Sequence, residues 1–207
     1  MKIRILRTIR FLSVLSLVLA LCGCGDKGPV KRSWGSMKGL RDIVGNMNDV
    51  SYSSGRTQAP RPNALGMPVA MPDFEGEFVW AEYAAPWCKA CTWQAPETKK
   101  VEKEMADAVV FLTIMTGKST EYNDHATVET AKAWSQRFGL DAKRVLAAEL
   151  WFKTVPEHRF YSPQGHTLFV HVGALTADQI RQVISYYKAD WEEWSKTGKR
   201  ADWMTSK

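Results

Sequence analysis

The sequence predicts an α/β domain built around a central mixed sheet flanked by helices. Three observations favour this fold class: strand-like apolar segments alternate with segments of helical spacing, two later strand segments are joined by a turn signal, and the domain ends in a helix with a marked start. The 207 residues, 45% hydrophobic and 24% charged, have the composition of a globular protein. This composition excludes a disordered chain, and 4 cysteines are too few for a small disulfide scaffold.

The first half of the domain is predicted to run strand, helix, strand, helix. Residues 78–83 and 109–114 are largely apolar runs, typical of buried strands. Residues 88–106 between them have helical spacing, with Pro96 as an expected kink. A second helix is predicted over residues 127–138, where apolar side chains again recur at helical intervals.

The second half is predicted to be a β-hairpin followed by a long helix. Residues 158–161 and 167–172 are strand segments, and the Ser-Pro-Gln-Gly sequence of residues 162–165 is a strong turn signal between them. Thr176 and Gln179 form a capping-box pattern at the start of the helix. Its apolar stripe continues past residue 190, which predicts an extended C-terminal helix.

The first 23 residues are predicted to be a secretion signal. An apolar run of 11 residues, 11–21, follows a basic and acid-free start. A helix needs about 20 residues to span a bilayer, so the run is typical of an export signal rather than of a membrane span. A short buried helix is the alternative. The basic residues are Lys2, Arg4, Arg7 and Arg10.

The signal ends in Leu21-Cys22-Gly23-Cys24, which resembles the lipobox of bacterial lipoproteins. Cys24 fits the acylated position because the small residue Gly23 precedes it, whereas bulky Leu21 precedes Cys22. Acyl chains on Cys24 would hold the N-terminus on a membrane. The resemblance favours the outer membrane over the inner one, since Gly25 rather than Asp follows. A cleaved signal with Cys24 as a free thiol is the alternative.

Composition divides the chain into four predicted regions. Residues 1–23 are the lipoprotein signal peptide, and residues 24–70, rich in Pro, Gly, Ser and Asn, are a flexible lipid-anchored spacer. Residues 71–190 form the domain, and residues 191–207 form a Trp-rich extension. The tryptophans of the extension, which could cover a neighbouring element, a partner or the membrane surface, are Trp191, Trp194 and Trp203.

The charge balance argues against a nucleic-acid-binding protein. The full chain has a net charge of +6. Removal of the signal takes away four basic residues and leaves 24 basic against 22 acidic ones, a net charge of +2. Proteins that bind DNA or RNA neutralise phosphates with a clear excess of Lys and Arg. We therefore expect no nucleic-acid partner.

Cys88 and Cys91 form the candidate site. Two intervening residues bring both sulfurs to the first turn of the predicted helix, where unpaired N–H groups and the helix dipole stabilise a thiolate. A cysteine pKa near 8.5 can fall to roughly 3.5–7.5 in such motifs. Lys89 adds positive charge, and Trp87 makes one side apolar. We expect Cys88 to attack and Cys91 to resolve the mixed disulfide.

Other uses of a Cys-x-x-Cys pair need ligands that this sequence does not provide. A zinc site requires two further ligands, and covalent haem attachment requires His rather than Thr92 after the second cysteine. The histidines are scattered, at His125, His158, His166 and His171. A purely structural disulfide stays open, although it explains neither the strand-to-helix position nor Trp87. We expect no metal and no cofactor.

These motifs resemble the thioredoxin fold of thiol:disulfide oxidoreductases. The stretch 79–91 is similar to the family's strand, loop and active-site helix, and Pro96 matches its helix-kinking proline. The resemblance implies that Glu82 is a buried acid relaying protons to the inner thiol. It also implies that Val155-Pro156 is a cis-proline site facing the disulfide and pairing with an incoming peptide. A salt-bridged Glu82 and an ordinary trans proline are the alternatives.

Residues 116–154 are longer than a minimal thioredoxin needs, which predicts an insertion before the cis-proline strand. With the lipoprotein signal, this resembles the exported TlpA-like branch, whose members often act as periplasmic reductants. Gln94 stands where those proteins commonly carry Glu, and the pair Lys89-Ala90 differs from their usual dipeptides. The resemblance favours reduction over oxidation, while the dipeptide leaves the direction open.

The sequence therefore predicts a periplasmic, membrane-anchored enzyme that exchanges disulfides with protein substrates. A membrane thiol–disulfide carrier is the expected redox partner that restores the active state. One alternative is a lipid-tethered binding module with a structural Cys88–Cys91 disulfide. Another is copper or haem handling by the two thiolates, which is weaker because no His or Met converges on them.

Overall fold

The computed structural model describes residues 59–120, 124–148 and 154–198. The predicted signal, Cys24, most of the spacer and Trp203 lie outside these residues. The described elements, in chain order, are β1 (Arg61–Pro62), β2 (Pro68–Val69), a 3-10 helix (Met71–Phe74), β3 (Val79–Ala84), α1 (Lys89–Met105), β4 (Val110–Met115), α2 (Val128–Phe138), β5 (Val145–Ala147), β6 (Glu157–Tyr161), β7 (Thr167–Val172) and α3 (Ala177–Thr197).

The central sheet is mixed, as predicted, and has five strands in the order β5-β4-β3-β6-β7. Strand β3 is parallel to β4, and β4 is parallel to β5, through helical crossovers. Strand β6 is antiparallel to both β3 and β7, which forms the predicted hairpin. The region predicted to be an insertion contains α2 and the short strand β5. No helix among the described residues has the length and apolarity needed to cross a bilayer.

The two faces of the sheet bury different sets of side chains. On the face covered by α1 and α3, aromatic and aliphatic side chains dominate, including Trp80, Phe160, Phe169, Ile180 and Tyr187. The opposite face has its own cluster, including Val79, Ala81, Leu112, Ile114 and Leu146. Because β3 is buried on both faces, it is an almost continuous apolar run, and Glu82 is its single ionisable carboxyl group.

Residues 61–69 form a folded hairpin, so the predicted spacer ends before residue 61 rather than at 70. The Asn63 side-chain oxygen accepts a hydrogen bond from the Met67 N–H at 3.0 Å and so stabilises the turn. The Ala64 N–H donates to the Val145 carbonyl oxygen at 2.8 Å, which ties the hairpin to β5. These long-range bonds order a segment whose composition alone is typical of a loop.

Helix α3 corrects the domain boundary predicted at residue 191. The predicted capping box is confirmed, since Thr176 and Gln179 exchange side-chain-to-backbone hydrogen bonds. The helix then continues through Trp191, which is only 5% exposed and packs against the ring of His166 at a centroid distance of 5.4 Å. Trp191 therefore belongs to the domain core, and Trp194 packs against its ring at 4.5 Å.

Candidate active site

The turn from β3 into α1 carries the two cysteines. Cys88 is the N-cap of α1, and the Cys91 N–H donates to its sulfur at 3.0 Å. The two residues form a disulfide with their Cα atoms 5.2 Å apart. Cys88 is 6% exposed and Cys91 is fully buried. Of the two sulfurs, the Cys88 sulfur is thus the more accessible one, and it sits at the positive end of a 17-residue helix.

The Val155-Pro156 peptide bond is cis, as the family resemblance implies. The Val155 carbonyl oxygen lies 3.4 Å from the Cys88 sulfur, so the loop before β6 faces the disulfide. On the other side of the loop, the Pro156 carbonyl oxygen accepts a hydrogen bond from the Gly173 N–H at 2.9 Å. This bond ties the cis-proline loop to the junction between β7 and α3.

The residues that flank the cysteines are largely exposed. Trp87 is 36% exposed, and Trp93 on α1 is 49% exposed. Lys89 is the first residue of α1 and is exposed to solvent. Pro96 lies inside α1 on its exposed side. The disulfide is therefore bordered by two accessible indole rings and one accessible lysine.

Glu82 is buried, as predicted, with 1% of its surface exposed. Burial raises its pKa from 4.5 to about 7, because the charged carboxylate loses solvation, and a hydrogen bond from Thr98 opposes that rise. The Thr98 hydroxyl donates to Glu82 Oε2 at 2.5 Å. The other oxygen, Oε1, has no hydrogen-bond partner among the described residues.

A buried chain of hydrogen bonds extends from Glu82 along α1. The Leu175 N–H donates to the Gln94 side-chain oxygen at 2.6 Å, and the Gln94 amide nitrogen donates to the Thr98 hydroxyl at 3.1 Å. Since Gln94 must accept from Leu175, its NH₂ group faces Thr98, and the Thr98 hydroxyl proton is left for Glu82. Cys91, Gln94 and Thr98 share one face of α1 at spacings of three and four residues. Sequence analysis missed this chain, because it joins Gln94 to Leu175, 81 residues away.

His158 is fully buried. It lies directly opposite Glu82 in the β3–β6 register. Its ring packs against Trp80 at a centroid distance of 5.4 Å and is nearly parallel to the ring of His171 at 6.4 Å. Burial and the neighbouring His171 lower the pKa of His158 to about 3, so the ring is neutral.

Comparisons with known proteins agree with this geometry. No family model matches the chain. It is 27% identical over 118 residues to the Thioredoxin-like protein YneN of Bacillus subtilis, covering 56% of this chain and 68% of that protein. It is similar in structure to a thioredoxin-family thiol:disulfide interchange protein of Chlorobium tepidum, with a TM-score of 0.51 and 18% identity over 64% of this chain and 97% of the other.

A further similar structure is a secreted Mycobacterium tuberculosis disulfide oxidoreductase described as homologous to E. coli DsbE. The TM-score is 0.51, with 21% identity over 63% of this chain and 97% of that one. The strand order, the disulfide at a helix N-terminus and the cis-proline loop beside it agree with these likenesses. The chain therefore has a thioredoxin-like fold, with a Cys-x-x-Cys disulfide at the start of its first long helix.

Proposed function

We propose that this protein is an exported, membrane-anchored thiol:disulfide oxidoreductase that acts on protein substrates through Cys88 and Cys91. The observation that carries the proposal is the position of the disulfide, with the Cys88 sulfur at the N-terminus of α1 and 3.4 Å from the Val155 carbonyl oxygen of the cis-proline loop. A purely structural disulfide needs neither the helix terminus nor the facing loop.

In the reducing direction, the Cys88 thiolate attacks one sulfur of a substrate disulfide. A mixed disulfide forms, and the other substrate sulfur leaves as a thiolate. Cys91, after losing its proton, attacks the Cys88 sulfur, which closes the Cys88–Cys91 disulfide and releases the second substrate thiolate. Two electrons pass from the cysteine pair to the substrate. The helix N-terminus stabilises the Cys88 thiolate, and Glu82 accepts the Cys91 proton.

Trapping of substrates tests this division of roles. In Cys91→Ala, the mixed disulfide cannot be resolved, so we expect adducts between Cys88 and cellular proteins that disappear on reduction. Cys88→Ala is the matched control and should trap none, because Cys91 is fully buried. Absence of adducts in Cys91→Ala, together with no insulin-reduction activity of the unaltered protein, would contradict the proposal.

The low exposure of Cys88, 6%, is the observation that favours the alternative of a binding module with a structural disulfide. The reduction potential of the pair separates the two functions. An exchange enzyme should equilibrate with a glutathione or thioredoxin couple, whereas structural disulfides have potentials below about −300 mV and resist reduction. The same measurement gives the direction, for which we favour reduction with a membrane thiol carrier as the electron donor.

The location is part of the proposal and is supported by the N-terminal signal pattern and by the secreted protein among the similar structures. We place the domain in the periplasm, held on a membrane by acyl chains on Cys24, with the outer membrane favoured. Cys24→Ser removes the acylated sulfur, so the protein should move from the membrane to the soluble fraction. Cys22→Ser is the matched control and should leave the fractionation unchanged.

A further inference from the structure

Four buried polar side-chain atoms on the sheet face that α1 covers form no hydrogen bond of normal length and angle among the described residues. They belong to three residues that are neighbours on β3 and β6, and they are Trp80 Nε1, Glu82 Oε1, His158 Nδ1 and His158 Nε2. An unpaired buried polar group costs about 1–3 kcal/mol, so such a cluster needs a functional or structural reason. The mechanism above uses only the carboxyl group of Glu82.

The register of the sheet places these groups in one cross-strand row. Glu82 on β3 pairs with His158 on β6, and His158 pairs with His171 on β7. Side chains directly opposite on neighbouring strands have their Cβ atoms about 4.5–5.5 Å apart, within reach of a carboxyl group and an imidazole. His171 is half-buried on the edge strand, so the row leads from the interior to solvent.

We propose that His158 forms a buried proton-sharing pair with Glu82 and that His171 connects this pair to solvent. The inference deepens the proposed function, since it assigns the route by which the Cys91 proton leaves the interior. His158 acts through Glu82 and contacts no reacting sulfur in this role. It is a positioning and proton-transfer residue.

The hydrogen-bond chain on α1 fixes which oxygen takes part. Thr98 donates its hydroxyl proton to Glu82 Oε2, so the proton of the neutral carboxyl group resides on Oε1. Oε1 is the atom without a partner, and the imidazole opposite interacts with the Gly173 backbone but has no side-chain hydrogen-bond partner. A side-chain rotation that brings Oε1 to the second imidazole nitrogen would satisfy the carboxyl proton and that nitrogen together.

Electrostatics favour a single proton on this pair. With one shared proton, the pair is neutral overall. Removal of this proton leaves a buried carboxylate, and addition of a second proton creates a buried imidazolium. Burial disfavours both of these charged states. The raised pKa of Glu82, about 7, and the lowered pKa of His158, about 3, have this common cause. The two groups should consequently titrate as a coupled unit.

Few other ionisable groups face the pair. His171 faces it from β7, and Cys91 lies on the α1 face that carries Gln94 and Thr98, while Glu157 and Arg159 on β6 point to the opposite face by strand alternation. The α3 side chains of the same core cluster are apolar or phenolic, including Ile180, Val183, Ile184 and Tyr187. On α1, the reduced Cys91 thiol and the half-buried carboxyl group of Glu102, one turn beyond Thr98, both share this face.

The transfer balances without any oxidant or reductant. Above the pKa of Glu82, about 7, its carboxyl group is ionised, and the Cys91 S–H bond breaks as the thiol proton binds to Glu82 Oε1, which gives the thiolate and the neutral acid. The proton then moves to a nitrogen of His158, whose imidazolium is stabilised by the Glu82 carboxylate that it faces. Transfer to His171 and release to solvent restore neutral His158, and the net change is one proton lost from Cys91.

Nuclear magnetic resonance of the full chain in detergent micelles, oxidised so that Cys91 does not titrate, tests the pairing. With ¹³C-labelled Glu and ¹⁵N-labelled His, the Glu82 carboxyl and His158 ring signals should share one midpoint. His158→Leu should raise the Glu82 midpoint by about one unit, because the carboxylate loses its imidazole partner. His158→Gln, which keeps an N–H donor, should shift it less. The control His166→Gln, outside the row, should not shift it.

The inference would be overturned if the ¹⁵N shifts of His158 did not follow the titration of Glu82 and if the Glu82 midpoint stayed unchanged in His158→Leu. The signals of the unaltered protein decide this even if the Leu variant does not fold. His171→Gln should slow resolution of a preformed Cys88 mixed disulfide several-fold while leaving the Glu82 midpoint unchanged; equal rates would remove His171 from the route. If the protein reduces insulin but Glu82 and His158 do not share a midpoint, the proposed function stands and only the inference fails. If the two residues share a midpoint but the protein exchanges no disulfide, only the proposed function fails.

Discussion

The two faces of β3 and β4 bury their side chains equally well but differ in chemistry. One face carries Val79, Ala81, Leu112 and Ile114, all apolar. The other alternates aromatic rings with Glu82 and Thr113, both buried and opposite each other in register. Helix α1, which begins at the disulfide, covers the second face. Polar groups are thus kept in the core on the side of the sheet that carries the disulfide.

Truncation on the apolar face should give the largest change in stability. Ile114 is fully buried, so Ile114→Ala should lower the free energy of unfolding by about 2–5 kcal/mol, through lost burial and a residual cavity. Urea denaturation measures this change. Because no ionisable group is altered, the pH profile of disulfide exchange should keep its midpoint. A shifted midpoint would show that the two faces are not functionally separate.

Glu82→Gln should make the next largest change, and it depends on pH. Burial raises the pKa of Glu82 from 4.5 to about 7, so the folded protein holds a proton that the unfolded chain releases between these values. The contribution of Glu82 to stability is therefore present below pH 4.5 and lost as pH rises through about 7, by up to about 3 kcal/mol. Gln stays neutral, so the variant should match the unaltered protein in acid.

At about pH 8 the Gln variant should be the more stable of the two by up to that same amount, measured by urea denaturation of the oxidised proteins over a pH series. A constant difference across the series would contradict a buried ionisable Glu82. The effect of His158 on stability has the opposite pH dependence. Its pKa is lowered from 6.5 to about 3, so its contribution to the free energy of unfolding is lost as pH falls through this range. The stability difference between His158→Gln and the unaltered protein should therefore change with pH in the opposite direction to that of Glu82→Gln.

Thr98→Val should have the smallest of these effects. The substitution preserves shape but removes the hydroxyl that donates to Glu82 Oε2, so the pKa of Glu82 should rise further. It also leaves the Gln94 amide nitrogen without its partner, at a cost of about 1–3 kcal/mol. The pH profile of exchange measures the first effect and urea denaturation the second. Loss of stability without a shift in the profile would make Thr98 a purely structural residue.

The sequence predicted the parts of the molecule whose signals are local. The capping box of Thr176 and Gln179, the turn at residues 162–165 and the start of α1 at Cys88 each depend on residues within four positions of one another. The cis bond at Pro156 was predicted by resemblance, since nothing in the two residues themselves favours it.

The missed features depend on contacts between distant segments. Strands β1 and β2 contain Pro62 and Pro68, which argue against a strand, and the hairpin is ordered by bonds to β5 instead. Trp191 is buried in the core cluster, and the ring of His166 packs against it from the loop between β6 and β7. The position of His158 opposite Glu82 follows from a strand register that no local pattern specifies.

The single hydroxyl proton of Thr98 links the residues that positions 82 and 94 of this chain can carry. It can satisfy one carboxylate, and here it serves Glu82 while the Gln94 amide donates to the Thr98 oxygen. An acid at position 94 would still accept from the Leu175 N–H, but it would lose the amide that donates to the Thr98 oxygen and would add a second buried carboxylate to the Glu82 chain.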